Sequence, residues 1–443
     1  MKKRFTLSAT HILLLSFFMV IIIGSAILSI PICSINGQPT PYIDSLFTAT
    51  TSTCVTGLTT VTTATHWNTL GQIVILILIQ IGGLGVITSI AGITIFIYKK
   101  LGMTNKFLLQ DTMNINTAFD IIPFLKKVIV GTFAIEGIGT LLYMTVFVKE
   151  FGLIGIWYSL FTSISAFCNA GIDIIADNSL SSFATNPIIN ITTAFLVIMG
   201  GLGYIVWFDI YNFFKHKKRF SLHSKTAIGT TIALLLGGTI LFFIFEYNNP
   251  ATIKNLSVFD KLQTSFFQSM TTRTAGFYTI PQENFSNTSS IISLLLMFIG
   301  GSPVGTAGGI KTTTIMVVIA SAIATIKSQN DTNLFNRKIS KNIIRKSIAV
   351  LFVSFCTAFI STLLLSIVCD RDFIDIIYET VSATATVGLS RNLTSSLNVV
   401  GKLIIIFTMY LGRVGPISLA LAFNVKKENK NIIKNPAEEI CVG

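Results

Sequence analysis

Four short polar segments, each closing on a lone glycine, sit between long apolar stretches of this chain and limit what it can fold into. They are Phe47-Thr-Ala-Thr-Thr-Ser-Thr-Cys-Val-Thr-Gly57-Leu58, Phe161-Thr-Ser-Ile-Ser-Ala-Phe-Cys-Asn-Ala-Gly171-Ile172, Phe266-Phe-Gln-Ser-Met-Thr-Thr-Arg-Thr-Ala-Gly276-Phe277 and Tyr378-Glu-Thr-Val-Ser-Ala-Thr-Ala-Thr-Val-Gly388-Leu389. Each has an aromatic residue ten places before its glycine and an apolar residue just after it. The glycines recur at intervals of 105 to 114 residues, the mark of internal duplication. Small hydroxyl residues followed by glycine suit a backbone that runs extended and aims carbonyl oxygens at a dehydrated cation. Four such strands around one axis would make an ion filter.

Composition supplies the solvent. Of 443 residues, 51% are hydrophobic and only 12% charged, with a mean hydropathy of +0.73. Soluble domains carry about 25% charged residues, so this chain is expected to live in lipid. Its net charge of +13 is not a nucleic-acid footprint. Of 32 Lys and Arg, 23 fall in clusters at 2–4, 99–127, 215–225, 327–346 and 426–434, each at one end of an apolar span. That is the positive-inside pattern, which puts both termini in the cytoplasm. The apolar run 11–30 is longer than a signal-peptide core and reads as a retained first span.

The expected fold is an all-α integral membrane protein of four helix–pore-helix–helix repeats with pseudo-fourfold symmetry around a central ion pore. Repeat one covers 1–100, repeat two 101–220, repeat three 221–335 and repeat four 336–425, with a cytoplasmic tail at 426–443. Pore helices of about 10 to 12 residues cannot cross a core of about 30 Å and must be re-entrant. Inner helices are expected near 69–98, 188–213 and 399–424. All four inner segments carry a glycine motif: Gly82-Gly83-Leu84-Gly85, Gly200-Gly201-Leu202-Gly203, Gly300-Gly301-Ser302-Pro303-Val304-Gly305 and Gly412-Arg413-Val414-Gly415. In repeat three the stretch 300–312 holds five glycines and a proline, which predicts a non-helical, movable gate at membrane depth.

The candidate cation ligands are carbonyls and hydroxyls of Val55, Thr56, Gly57, Asn169, Ala170, Gly171, Thr274, Ala275, Gly276, Thr386, Val387 and Gly388. Pore-helix C-termini directed at the axis would add a favourable negative dipole. One glycine per strand, where the familiar potassium filter has two, suggests looser discrimination among monovalent cations. Gate residues are Gly300, Gly301, Gly305, Gly308, Gly309, Lys311 and Arg413. Arg413 has two readings of equal weight: bonding to carbonyls of the 300–309 loop, or a structural pair with Glu136. Arg273 is expected to anchor the back of its filter strand. Asp173 and Asp177 read as solvated loop charges, with cation concentration at the outer mouth as the sharper alternative.

Six cysteines (Cys33, Cys54, Cys168, Cys356, Cys369, Cys441) show no metal spacing, and Cys54 and Cys168 read as apolar filler at one repeat position. The histidines His11, His66, His216 and His223 lie at helix ends or loops, which leaves an intramembrane enzyme without a base or a ligand set. No cofactor is expected, and no dinucleotide-binding unit is visible.

Thr-Cys-Val-Thr-Gly57-Leu, Phe-Cys-Asn-Ala-Gly171, Thr-Arg-Thr-Ala-Gly276-Phe and Ala-Thr-Val-Gly388-Leu closely resemble the Trk/Ktr/HKT superfamily of potassium transporters. With Gly-Gly-Ser-Pro-Val-Gly-Thr-Ala-Gly-Gly-Ile-Lys and Gly-Arg-Val-Gly-Pro, the chain looks most like the bacterial KtrB-type membrane subunit. The resemblance covers nearly the whole chain. It implies potassium as substrate, commonly with sodium stimulation, in the plasma membrane. It also implies a homodimer with one pore per protomer and a cytosolic, nucleotide-binding RCK-type regulatory ring (KtrA/KtrC/TrkA-like). The loop 300–312 with Arg413 would be its gate. A sodium-selective or sodium-coupled transporter of the same architecture is the alternative.

Overall fold

The computed structural model describes residues 9–86, 88, 89, 91, 121–175 and 178–415. The basic clusters 2–4 and 426–434, most of 99–127, the tail 426–443, Asp177 and Cys441 lie outside them.

Each repeat contributes an outer helix, a pore helix and an inner helix. Repeat one has Ala9–Leu28, Tyr42–Cys54 and Thr69–Leu84; repeat two has Ile121–Phe151, Ile154–Phe167 and Pro187–Gly201, continued by Tyr204–His216. Repeat three has Leu222–Glu246, Val258–Thr271 and the pair Asn287–Phe298 and Thr312–Ile326. Repeat four has Lys341–Val368, Phe373–Ala385 and Val399–Val414. A two-residue hairpin, Asn333–Leu334 against Arg337–Lys338, joins the last two repeats.

The outer helices are the four described helices long and apolar enough to span a bilayer alone. Only 28 to 33% of their apolar windows is buried. Side chains such as Phe352, Phe355 and Phe359 face outward, which is stable in lipid and costly in water. The pore helices invert this arrangement. They have 13 or 14 residues, one to four more than expected, and about 20 Å is still too short to span. They bury hydroxyls, several of which are satisfied by the helix itself: Thr50 donates to the Leu46 carbonyl (2.7 Å), Ser52 to Thr48 (2.7 Å) and Thr384 to Thr380 (2.7 Å). Inner helices begin on one device repeated four times. The side chains of Asn68, Asn186, Ser286 and Asn398 accept from backbone N–H groups of the first turn.

The inner helices do not run through their glycine motifs as single rods. Gly85 (φ +88°), Gly203 (+86°) and Gly415 (+91°), each at the fourth motif position, take a backbone conformation that residues bearing a Cβ rarely adopt. At Gly203 the two halves of the repeat-two inner helix bend by 99°. Repeat three breaks most widely: between Phe298 and Thr312 there is no helix. The neck of that loop is closed by Gly300 N–H to the Ile310 carbonyl and Thr312 N–H to the Gly301 carbonyl, both 3.0 Å.

Candidate functional site

Each pore helix gives way to a residue in the left-handed region two places before its glycine: Val55 (φ +56°), Asn169 (+61°), Thr274 (+66°) and Thr386 (+51°). The glycines are also positive, at +106°, +63°, +81° and +93°, while the residue between is not. Alternating hand along a backbone turns successive peptide groups to one side, as an ion-lining strand requires.

The four strands converge. A methyl group added at Gly57 would lie 2.6 Å from the Ala170 carbonyl oxygen, at Gly171 2.7 Å from that of Ala275, and at Gly276 2.8 Å from that of Val387. At Gly388 it would strike the Thr56 carbonyl oxygen and close the cycle. Each glycine therefore packs on the carbonyl one place before the next repeat's glycine, around one axis. The carbonyls of Thr56, Ala170, Ala275 and Val387 form the inner contacts of this ring.

A hydroxyl clamp braces each strand from behind, and the sequence reading did not single it out. Thr51 Oγ1 accepts from Gly57 N (3.0 Å) and Ser382 Oγ from Gly388 N (3.0 Å). Ser165 Oγ accepts from Ile172 N (3.1 Å) and donates to the Ile172 carbonyl (2.6 Å). These three lie six places before their glycines, a regularity visible in the sequence. In repeat three the hydroxyl comes one residue later on the helix: Thr271, five places before, donates to the Phe277 carbonyl, the residue after its glycine, as Ser165 does to Ile172. Two further groups went unread. Buried Glu379 accepts from Ser390 Oγ (2.6 Å) and Thr394 Oγ1 (2.5 Å), pinning the segment that follows the fourth glycine. Lys402 pairs with Asp44 (2.5 Å), tying repeat four to repeat one.

Beneath the ring the glycine motifs pack on the pore helices. A methyl at Gly82, Gly200 or Gly412 would strike the carbonyl of Thr53, Phe167 or Thr384, each four places before a filter glycine. Gly300 instead meets the Gly308 carbonyl of its own loop. That loop lies directly under the ring: Thr306 Oγ1 donates to the Phe167 carbonyl (3.1 Å) and Asn169 Oδ1 (2.9 Å), and Gly308 packs against Thr386. Gly301 and Gly305 sit against Gly201 and Gly200, and Gly309 against Gly300. The loop is also sewn to the repeat-two inner helix by Ser302 N–H to Gly201 (2.8 Å), Thr306 N–H to Gly200 (3.1 Å) and Tyr204 N–H to Val304 (2.9 Å).

Three cations, Arg273 buried and Lys311 and Arg413 half-buried, hold its carbonyls. Arg413 donates to Thr306 and to Gly82, Lys311 to Ala307 (2.7 Å), and Arg273 to Gly300 (3.3 Å). Of the two partners open to Arg413, the structure selects the loop. Glu136 instead accepts from Gln80 (3.1 Å), and no described ion pair joins it to Arg413. Arg273 also reaches Thr231 on its outer helix (3.4 Å). Asp173, just after the second glycine, is half-buried. Cys54 and Cys168 are buried free thiols, and no described group of three metal-ligating residues occurs.

Comparison with known proteins matches residues 8–435 to the TrkH family model, described as a cation transport protein. The chain is 37% identical to the potassium/sodium uptake protein NtpJ of Enterococcus hirae, over 100% of this chain and 99% of that protein. It is 39% identical to the Ktr system potassium uptake protein B of Bacillus subtilis, over 99% of this chain and 97% of that one. Among solved structures, the potassium transporter TrkH of Vibrio parahaemolyticus shares the fold, with a TM-score of 0.74 at 15% identity over 95% of this chain and 86% of that chain.

Proposed function

Because the chain belongs to the TrkH family of cation transport proteins, we propose that it is the conducting subunit of a potassium uptake system in the cytoplasmic membrane. It is a transporter, not an enzyme. The observation that carries the proposal is the cyclic packing of four glycines on four carbonyls, a ring of oxygen dipoles suited to replacing a cation's hydration shell. The ligands are backbone oxygens of the twelve filter residues 55–57, 169–171, 274–276 and 386–388, with the Thr56, Thr274 and Thr386 hydroxyls in reserve. Those three hydroxyls are buried without a protein partner among the described residues.

A negative interior contributes about 2.3 kcal/mol per charge per 100 mV, enough to concentrate a monovalent cation about fiftyfold. Inward flow then needs a valve rather than a pump. The loop 300–312 is that valve, with Arg413 and Lys311 holding its carbonyls beneath the filter. A cytosolic nucleotide-binding ring acts on it from the side where both termini lie, in a homodimer stimulated by sodium. The second reading, sodium as the cargo or co-substrate, draws support from the name of the Enterococcus relative and from the single glycine per strand.

Expression in a strain lacking its own potassium uptake should rescue growth at limiting potassium, and rubidium influx should continue at a reduced rate when sodium is replaced by choline. Influx of sodium but not rubidium would transfer the proposal to the second reading. Failure of both fluxes in the presence of a regulatory subunit would end it.

A further inference from the structure

Below the break at Gly203, the helix Tyr204–His216 has no role in the filter. A helix leaving a spanning segment at 99° runs nearly in the plane of the membrane. Its sequence, Tyr-Ile-Val-Trp-Phe-Asp-Ile-Tyr-Asn-Phe-Phe-Lys-His, is rich in interfacial aromatics, and Lys217, Lys218 and Arg219 follow it. Between this helix and its neighbours lies an open groove of about 560 Å³, lined by Ile135, Met199, Trp207, Ile210, Phe214 and Lys215. Phe214 is 78% exposed, an expensive surface for a bare aromatic ring in water.

The polar end of the groove is cationic. Lys215 Nζ donates to the Tyr211 hydroxyl (2.7 Å), and Lys127 Nζ stands 5.7 Å above the Phe208 ring. The acid on the helix, Asp209, is turned away: it accepts from Ser221 and Ser224 and caps the next outer helix. An apolar trough ending in a lysine and a phenol, with Lys127 of the adjoining outer helix over the Phe208 ring of the helix Tyr204–His216, matches one class of molecule, an acyl chain joined to an anionic phosphate headgroup.

We propose that this groove is a binding site for an anionic phospholipid of the cytoplasmic leaflet, and that its occupancy bears on the valve. The mechanical link is short. Gly203 is the pivot of the helix, and its neighbours Gly200, Gly201 and Tyr204 carry the three backbone bonds to the loop 300–312. Lipid that fixes the angle of the helix fixes the strand to which the loop is sewn. The binding half stands on geometry alone; the valve half, and the leaflet, rest on the transport reading.

Trp207 lines the groove and serves as the probe. The full chain is reconstituted in phosphatidylcholine with rising fractions of phosphatidylglycerol brominated in its acyl chains, or of brominated phosphatidylcholine. Anionic lipid should quench the tryptophan component lost in Trp207→Phe at a lower mole fraction than the zwitterion. Lys127→Gln and Lys215→Gln should each raise the fraction for half-quenching about fivefold. Equal quenching by both lipids, or no effect of the lysine changes, overturns the site. No quenching by either shows that protein covers the groove, a second copy or another chain, and overturns it as well. Rubidium flux in the same vesicles should rise with phosphatidylglycerol in the native chain and not in the double variant. An identical flux response in both rejects the link to the valve. Absence of flux in every lipid counts against transport, while quenching still decides the site.

Discussion

The ring of glycines and the break beneath it are built from the same fourfold repeat, yet only the ring keeps the symmetry. Above, four glycines meet four carbonyls in cyclic order. Below, the second position of the inner-helix motif holds Gly83, Gly201, Gly301 and Arg413. At the fourth position Gly85, Gly203 and Gly415 end helical segments at positive φ in three repeats, while the third repeat opens into a loop. A spherical ion is held best by equivalent contacts from every side, whereas opening and closing require one element that differs from the rest. On the proposed reading, recognition and control are separated by depth along one axis.

The sharpest way to break this contrast is to change the ring one quarter at a time. Gly57→Ala, Gly171→Ala, Gly276→Ala and Gly388→Ala should each reduce rubidium influx to background, because each added methyl strikes a carbonyl or backbone atom of a neighbouring strand. A repeat that tolerates alanine would show that its strand does not contribute equally. Below the ring the sign should reverse. Arg413→Ala removes two charge-assisted bonds, to Thr306 and Gly82, worth about 1.5–3 kcal/mol each. With the loop released, initial rubidium influx in liposomes lacking any regulator should rise about tenfold or more. An unchanged or lower rate at normal abundance would remove Arg413 from the valve.

The clamps probe the symmetry more finely. Thr51→Val, Ser165→Ala and Ser382→Ala should each cost about 1 kcal/mol of filter order, read as an about fivefold fall in rubidium-over-sodium preference. Thr271→Val should differ in size, since its hydroxyl sits one residue later on the pore helix than the other three. Four equal effects would mean that this offset has no consequence. The smallest change is expected at Cys54→Ala and Cys168→Ala, where influx should stay within about twofold and cadmium should have no effect, as for apolar packing. Cadmium block relieved by either substitution would show that these thiols bind a soft metal and are not plain packing.

Much of this was legible because it is periodic. The four segments, their glycines and the short pore helices each leave a signature that recurs, and recurrence distinguishes a filter strand from an ordinary turn. The helix ends at Gly85, Gly203 and Gly415 were hidden because apolar residues continue on both sides of each glycine, so hydropathy runs unbroken through them. The partner of Arg413 was undecided for a different reason. Its acceptors are backbone carbonyls, present at every residue and marked by none, while Glu136 was the carboxylate weighed as its partner. Glu379 and Asp44 passed unread as single acids in mixed segments; only the fold shows that one meets two hydroxyls and the other a lysine from the opposite end of the chain.

The cyclic ring has a genetic corollary. In a channel assembled from four identical subunits, one codon change alters every quadrant of the ion's cage together. Here Val55, Asn169, Thr274 and Thr386 occupy matching stations with three different side chains among them, each encoded separately. A lineage can therefore adjust ion preference by quarter steps, retaining three sides of the cage while it tries a substitution on the fourth.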